Sequence, residues 1–214
     1  MLKIGVRLPC PVDDIGEHLA DVRALEAAGV DSIWLDRRGG PTSGQDPWMV
    51  LAAAAVITGR VRLGTSLVPA DLRAADILSQ RLVTLQHLSR GRGMVRMEFA
   101  SPSEPVEECI ALVRRACGDG LPVLLDAVDE MRNGSQAAFQ RVLAVRQRQG
   151  ATTPPELWAE VAEPDSRASW KEVRRACEEK GATGVIVPFG PRLLDLLRRP
   201  DEEDDRSDLF VAQG

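Results

Sequence analysis

Three small residues, Gly64, Thr65 and Ser66, interrupt an apolar stretch, VRLGTSLVP at residues 61–69, that otherwise has the composition of a strand. A buried strand ordinarily carries branched side chains that fill space, so a run of small residues needs a reason. Small side chains allow a ligand to approach the backbone, and hydroxyls can hydrogen-bond to it. The same residues also suit tight interior packing, and spacing alone leaves both interpretations open.

Charged residues near the ends of two other predicted strands have the same ambiguity. Arg96 and Glu98 are two positions apart in GMVRMEFA and therefore share one face of that strand. If this face points into the interior, the two residues form a buried ion pair, which is either part of a site or purely structural. Asp36 ends the stretch DSIWLD, where it is either a site residue or the salt-bridge partner of Arg37 or Arg38.

A further candidate is the segment FGPR at residues 189–192, which follows the last predicted strand. It places Gly190 and Arg192 at the start of a predicted helix, where backbone N–H groups and the helix dipole favour a phosphate. A plain strand-to-helix turn with Pro191 at the first helical position explains the same residues. Arg7 lies near the end of the first predicted strand, on a face that the pattern leaves open.

The sequence offers no convincing acid–base pair, nucleophile–histidine pair or metal-ligand cluster. Its two histidines, His18 and His87, are far apart, and its four cysteines contain no CxxC spacing. We therefore expect no metal, assign no catalytic residue, and interpret the cysteines as buried thiols in a reducing compartment.

Composition limits the partners and the location of the protein. The 214 residues carry a net charge of −5, and no basic patch favours nucleic acid. No apolar run approaches ~18 residues, so we expect no membrane span. The first residues indicate a strand without a signal peptide, which favours a cytoplasmic location. The length suits one domain, which we place at 1–214.

Strands and helices alternate along the chain, which predicts an α/β fold with a parallel sheet. We predict an incomplete TIM-type barrel of about seven βα units, one short of eight. No GxGxxG follows the first strand and no P-loop occurs, so the main support for nucleotide folds is missing. A helix is predicted over 135–150, and the seven strands are predicted at 2–9, 31–36, 61–69, 93–100, 121–128, 155–161 and 183–189.

Several phrases resemble the bacterial luciferase-like family of flavin- or deazaflavin-dependent oxidoreductases. The similarity is good over residues 1–98, thin over 99–154 and fair afterwards. The family fold is a TIM barrel, which agrees with the alternation of elements. The phrases that carry the resemblance are KIGVRLP, LEAAGVDSIWLD, DPWMVLAAAAVITGRVRLGTSLVP, LVTLQHLSRGRGMVRM and WKEVRRACEEKGATGVIVPF.

The resemblance implies a cofactor, FMN or deazaflavin F420, at the end of the third strand. The small residues Gly64, Thr65 and Ser66 match the segment that lets the family's backbone approach the ring. The family often has an acidic residue followed by histidine at the position of Asp36, whereas arginine follows it here. The complete set of predicted cofactor-binding residues is Asp36, Gly64, Thr65, Ser66, Arg96, Glu98, Gly190 and Arg192.

The chain also departs from the family, because the stretch between its fourth and fifth strands has room for only one helix. In this it is similar to the shortened, non-fluorescent flavoprotein of luminous bacteria. Three hypotheses follow: an oxidoreductase or monooxygenase that uses reduced FMN or deazaflavin on a small organic substrate, a non-catalytic flavin-binding protein, and a cofactor-free subunit that acts through dimerisation. The resemblance implies a homodimer formed through early helices, with a reductase or a different subunit as a further expected partner.

Overall fold

Strands and helices alternate over most of the chain in a computed structural model, which describes residues 2–10, 13–37, 45–67, 71, 74–98, 106–117, 121–126, 141–145 and 156–198. The strands are β1 Lys3–Cys10, β2 Ser32–Arg37, β3 Arg62–Leu67, β4 Gly93–Met97, β5 Val123–Asp126, β6 Arg141–Val145, β7 Leu157–Glu160 and β8 Gly184–Pro188. The helices are α1 Ile15–Ala27, α2 Pro47–Ile57, α3 Ala75–Ser89, α4 Val106–Cys117, α5 Arg167–Glu179 and α6 Leu193–Arg198.

The strands pair in chain order and β8 closes on β1, which makes a barrel. All seven predicted strands are present and run in one direction, which confirms a TIM-type barrel one parallel unit short of eight. The remaining place between β5 and β7 is filled by β6, which pairs antiparallel with both neighbours.

The prediction of a helix over 135–150 is wrong where the structure describes this segment, because residues 141–145 form β6. A short apolar run such as RVLAV is compatible with either a buried strand or a helix, and periodicity cannot separate the two. The sheet decides the outcome, because β5 and β7 each present an edge whose backbone groups need partners. In the observed register Leu143 lies opposite Asp126 on one side and Trp158 on the other.

Three helices start at side-chain caps. Asp14 accepts hydrogen bonds from two backbone N–H groups at the start of α1. Asp46 caps α2, with Pro47 in the first turn, and Ser166 accepts a hydrogen bond at the start of α5. These caps satisfy N–H groups that would otherwise lack partners, and so fix where each helix leaves the barrel.

The start of β3 is held by the carboxylate of Glu26 at the end of α1. It accepts hydrogen bonds from the N–H groups of Gly59, Arg60 and Val61 at 3.0, 2.7 and 2.9 Å. Burial acts to raise the pKa of Glu26, but these N–H groups and the nearby Arg92 outweigh it and hold that pKa below its ordinary value. This contact fixes the strand whose other end carries the small residues.

Two apolar layers result from the alternation of side chains along the strands. The larger layer packs the outer face of the barrel against the helices, and the smaller fills the barrel itself. The inner cluster consists of Trp34, Met94, Leu124, Trp158 and Ile186. Among the described helices, none combines the length and the hydropathy that a membrane span requires.

Candidate functional site

The middle of the barrel is filled by two tryptophan–glycine pairs on neighbouring strands. Trp34 lies opposite Gly64 in the register of β2 and β3, and Trp158 lies opposite Gly184 in the register of β7 and β8. A Cβ atom added to Gly64 would lie 2.5 Å from Cε3 of Trp34, and one added to Gly184 would lie 2.5 Å from Cε3 of Trp158. Each glycine therefore makes room for the indole ring of its cross-strand neighbour.

At Gly64 this packing favours the interpretation of the small-residue segment as tight interior packing. The space in front of Gly64 holds the ring of Trp34 and is not an open notch for a ligand. Thr65 is fully buried on the outer face of the strand, where its hydroxyl donates to the carbonyl of Leu35 at 2.6 Å. Ser66 points the other way, and its hydroxyl donates to Oε1 of Glu98 at 3.3 Å. Of the three residues, Ser66 brings a polar group to the mouth of the barrel.

A network of charged residues lies at the same mouth, at the carboxyl ends of the parallel strands. Arg96 of β4 donates through Nη2 to Glu98 and through Nη1 to Glu160 at the end of β7. Nη1 of Arg7 on β1 lies 3.6 Å from the same oxygen of Glu160. The predicted Arg96–Glu98 pair is thus confirmed. Carboxyl ends of barrel strands are where sites occur in this fold.

The mouth network has a buried layer and an accessible layer. The side chains of Arg96 and Glu160 are each 6% exposed, whereas those of Arg7 and Glu98 are 23% and 34% exposed. Nε of Arg7 is itself buried and has no hydrogen-bond partner among the described residues. A ligand that enters the mouth would therefore meet Arg7, Ser66 and Glu98 above a buried ion pair.

The other predicted site residues lie outside this network or outside what is described. Asp36 is in β2, and its side chain lies outside the described residues. Gly190 is buried directly against the carboxylate of Glu163, and Arg192 is exposed and donates to the carbonyl of Asp165 at 3.2 Å. A carboxylate beside the start of α6 disfavours a phosphate there. The cofactor roles of these three residues, like those of the other five predicted residues, stay predictions.

Sequence reasoning missed the residue that joins the network, Glu160. It lies 64 residues from Arg96 in sequence, so no local pattern connects the two. A signal did exist, because Glu160 ends its strand two positions after the inward-facing Trp158 and so shares its face. The same period of two places Arg7 on the face of Gly5, which resolves its open orientation.

Reactive groups elsewhere in the described chain do not form a second site. Burial raises the pKa of the Cys177 thiol to about 11, so this thiol stays protonated at neutral pH. His18 is buried, and burial lowers the pKa of its imidazole although Asp21 acts in the opposite direction. No group of three or more histidine, cysteine or acidic side chains within the described residues is arranged to hold a metal ion.

The fold and the mouth define the class of protein: a barrel of seven parallel strands and one antiparallel strand, with a polar network at the carboxyl ends of the parallel strands. The family model of luciferase-like monooxygenases matches residues 3–119, which is more than half of the chain, and the chain belongs to this family. Four of the network residues lie within the matched range, and Glu160 lies beyond it.

Known proteins give the following similarities. Limonene 1,2-monooxygenase of Rhodococcus erythropolis is 29% identical over 187 residues, which cover 84% of this chain and 42% of that protein. The chain thus spans less than half the length of this curated relative. The coenzyme F420-dependent tetrahydromethanopterin reductase of Methanopyrus kandleri is 26% identical with a TM-score of 0.40, over 45% of this chain and 26% of that one. Monooxygenase RslO1 of Streptomyces bottropensis is 23% identical with a TM-score of 0.41, over 92% and 65% of the two chains.

Proposed function

We propose that the protein is an oxidoreductase of the monooxygenase type that binds a flavin-type cofactor, FMN or deazaflavin F420, at the barrel mouth and acts on a small organic substrate. The observation that carries the proposal is a polar network at the carboxyl ends of the strands in a chain of the luciferase-like monooxygenase family. The F420-dependent reductase and the monooxygenases among the similar proteins support the cofactor class and the reaction class.

The residues at the mouth fit such a cofactor. A flavin-type ring presents carbonyl oxygens and ring nitrogens along one edge, and these accept hydrogen bonds. Arg7 has a buried Nε without a hydrogen-bond partner among the described residues, and Ser66 has a hydroxyl at the same level of the barrel. The guanidinium of Arg7 is a donor that can bind an acceptor edge, whereas the one O–H of Ser66 already donates to Glu98 and leaves its oxygen to accept a hydrogen bond. Trp34 and Trp158 close the barrel beneath the mouth and exclude water from below.

The bound cofactor would supply the hydride or oxygen chemistry, and the chain would supply binding, orientation and shielding. Arg7 and Ser66 would contact the ring, while the ion pair of Arg96 and Glu160 joins β4 to β7 across the barrel. Such a division of labour needs no acid–base dyad from the protein. The described residues of the mouth include no reactive cysteine and no histidine pair, which is compatible with this division of labour.

The test is a binding titration of the purified protein with FMN and with F420, followed by absorbance and fluorescence. We expect one of the two to bind, and the bound cofactor to be reduced by the added reductant and reoxidised when substrate and dioxygen are supplied. Binding without turnover favours a non-catalytic flavin-binding protein. Failure of both cofactors to bind, in either oxidation state, refutes the proposal and favours a cofactor-free subunit.

Two neighbouring variants locate the site. Ser66→Phe places a ring in the mouth, and we expect it to weaken cofactor binding at least tenfold. Thr65→Val removes a hydroxyl on the outer face of the same strand and serves as the control, with an unchanged dissociation constant. The opposite pattern, in which only Thr65→Val loses affinity, would place the site elsewhere.

Exposed apolar residues on two adjacent helices favour association of two copies, and we propose a homodimer through this surface. Met49 and Val56 lie on one face of α2, Ile77 lies on α3, and each is more than half exposed. Large apolar side chains clustered on a surface commonly mark an interface. Light scattering after size-exclusion chromatography should give the mass of a dimer, and Val56→Glu should give that of a monomer. A wild-type monomer at micromolar concentration would contradict this.

We also propose a cytoplasmic location for the protein. Cys117 and Cys177 are free thiols, and burial raises the pKa of both, which favours their protonated form. Free thiols are typical of a reducing compartment. Fractionation of the source cells would test this, and recovery of the protein in a secreted fraction would contradict it.

A further inference from the structure

The two arginines at the barrel mouth, Arg96 and Arg7, differ in how many of their donors are paired, and this difference indicates which of them a ligand would contact. Arg96 directs both terminal nitrogens to carboxylates, Nη1 to Glu160 and Nη2 to Glu98. Arg7 approaches Glu160 through Nη1 at 3.6 Å, which is too long for a direct hydrogen bond. Its Nε has no partner among the described residues. Arg7 thus has terminal donors left for a ligand, whereas both terminal nitrogens of Arg96 are engaged by carboxylates.

Exposure points to the same residue. The Arg7 side chain is accessible, whereas Arg96 is buried beneath it with Glu160. Glu160 contacts both arginines through one oxygen and so holds Arg7 at the rim without consuming its donors. A buried, unpartnered N–H is costly unless a ligand satisfies it. Glu160 is therefore a positioning residue, and Arg7 is the group that a ligand would contact.

We propose that Arg7 binds the carbonyl-bearing edge of the cofactor ring and favours the reduced, negatively charged state over the oxidised, neutral state. This inference rests on the proposed function. Two-electron reduction of a flavin at neutral pH places negative charge on its pyrimidine part. A guanidinium beside that edge stabilises the reduced ring more than the oxidised one, since charged hydrogen bonds are roughly twice as strong as neutral ones. Positive charge near the ring nitrogens is a known means of tuning a flavin.

The test compares oxidised and reduced FMN in anaerobic titrations of the wild type, Arg7→Gln and Arg7→Lys, and a wild type that binds F420 but not FMN overturns the inference. We expect Arg7→Gln to weaken binding of the reduced cofactor about tenfold more than that of the oxidised cofactor. By the two-electron relation, the potential of the bound cofactor should fall by about 30 mV. Arg7→Lys keeps the charge and should restore part of the difference.

Arg175→Gln is the matched control, and it should leave the affinities for the oxidised and the reduced cofactor unchanged. Arg175 is an exposed arginine of α5, and among the contacts described it pairs only with Glu179 at i,i+4. Equal weakening of both oxidation states by Arg7→Gln, or no weakening, overturns the inference. If the glutamine variant does not fold, Arg7→Lys carries the test, and it too must weaken the reduced state more than the oxidised state.

Failure of the wild-type protein to bind either cofactor refutes the proposed function itself. That outcome is distinct from wild-type binding that does not depend on Arg7. The first result removes the cofactor from the protein, and the second removes Arg7 from an existing site.

Discussion

Gly64→Ala should destabilise the protein through the ring of Trp34. The new Cβ would lie 2.5 Å from Cε3 and Cζ3 of that ring, about 1 Å inside ordinary carbon–carbon contact. The ring cannot turn away freely, because Trp34 is fully buried and its Nε1 donates to the hydroxyl of Ser32 at 3.0 Å. Overpacking costs about 1–3 kcal/mol. The loss of backbone freedom in the unfolded state offsets about 0.4–1 kcal/mol. A net loss of about 1–2 kcal/mol follows.

Urea unfolding followed by tryptophan fluorescence measures this change. Gly59→Ala is the matched control, because nothing lies within 4 Å of its added Cβ, and its stability should stay within about 0.5 kcal/mol of the wild type. Trp34→Phe introduced together with Gly64→Ala should recover part of the loss, since the smaller ring leaves room. Unchanged stability of Gly64→Ala combined with lost cofactor binding would refute the reasoning, because the space before Gly64 would then be open to a ligand.

Three further predictions concern charged groups. Glu160→Gln should lower the free energy of unfolding by about 3 kcal/mol, because it leaves the buried charge of Arg96 poorly compensated. Glu98→Gln should lower it by at most about 1 kcal/mol, because Glu98 is more exposed. Equal losses of the two variants in urea unfolding would contradict this. The lowered pKa of Glu26 stabilises the fold above the ordinary value of 4.5, and this contribution is lost as the pH falls through the folded-state pKa, so Glu26→Gln should cost about 1 kcal/mol at pH 7 and less at pH 3. The pKa of His18 is lowered in the folded state, so the unfolded state takes up the proton first and stability falls as the pH drops below 6.5. His18→Leu should flatten this pH dependence of the melting temperature in thermal unfolding. An unchanged pH dependence in the variant would exclude His18 as its source.

The fold was predictable wherever a local pattern decides the structure. Apolar runs of strand length locate seven parallel strands, because each run carries its own signal. β6 was not predictable in this way, because RVLAV suits either a strand or a helix. Its state depends on the open edges of β5 and β7, which only the assembled sheet presents. A segment whose conformation is set by distant partners has no local signature.

The part of the candidate site that lies within one strand was predictable from the sequence. The period of two places Arg96 and Glu98 on one face, and the structure has them in contact. Glu160 completes the network from a strand far along the chain, so sequence spacing cannot connect it to Arg96. Gly64 shows the same limit, because its small size is explained by Trp34 on the neighbouring strand. Gly64 and Trp34 are each the third residue of their strand, but the register that places them opposite each other is a property of the sheet.

The charged mouth is best explained by what it presents to a ligand. The inner cluster already closes the barrel with two indole rings, so a further layer is not needed to fill the interior. Replacing a buried ion pair by apolar side chains is often neutral, or stabilising by about 1–4 kcal/mol, because the desolvation of both charges is avoided. The Arg96–Glu160 pair is therefore a poor source of stability. It does fix Glu160, and Glu160 in turn holds Arg7 at the accessible rim with a donor still to be satisfied.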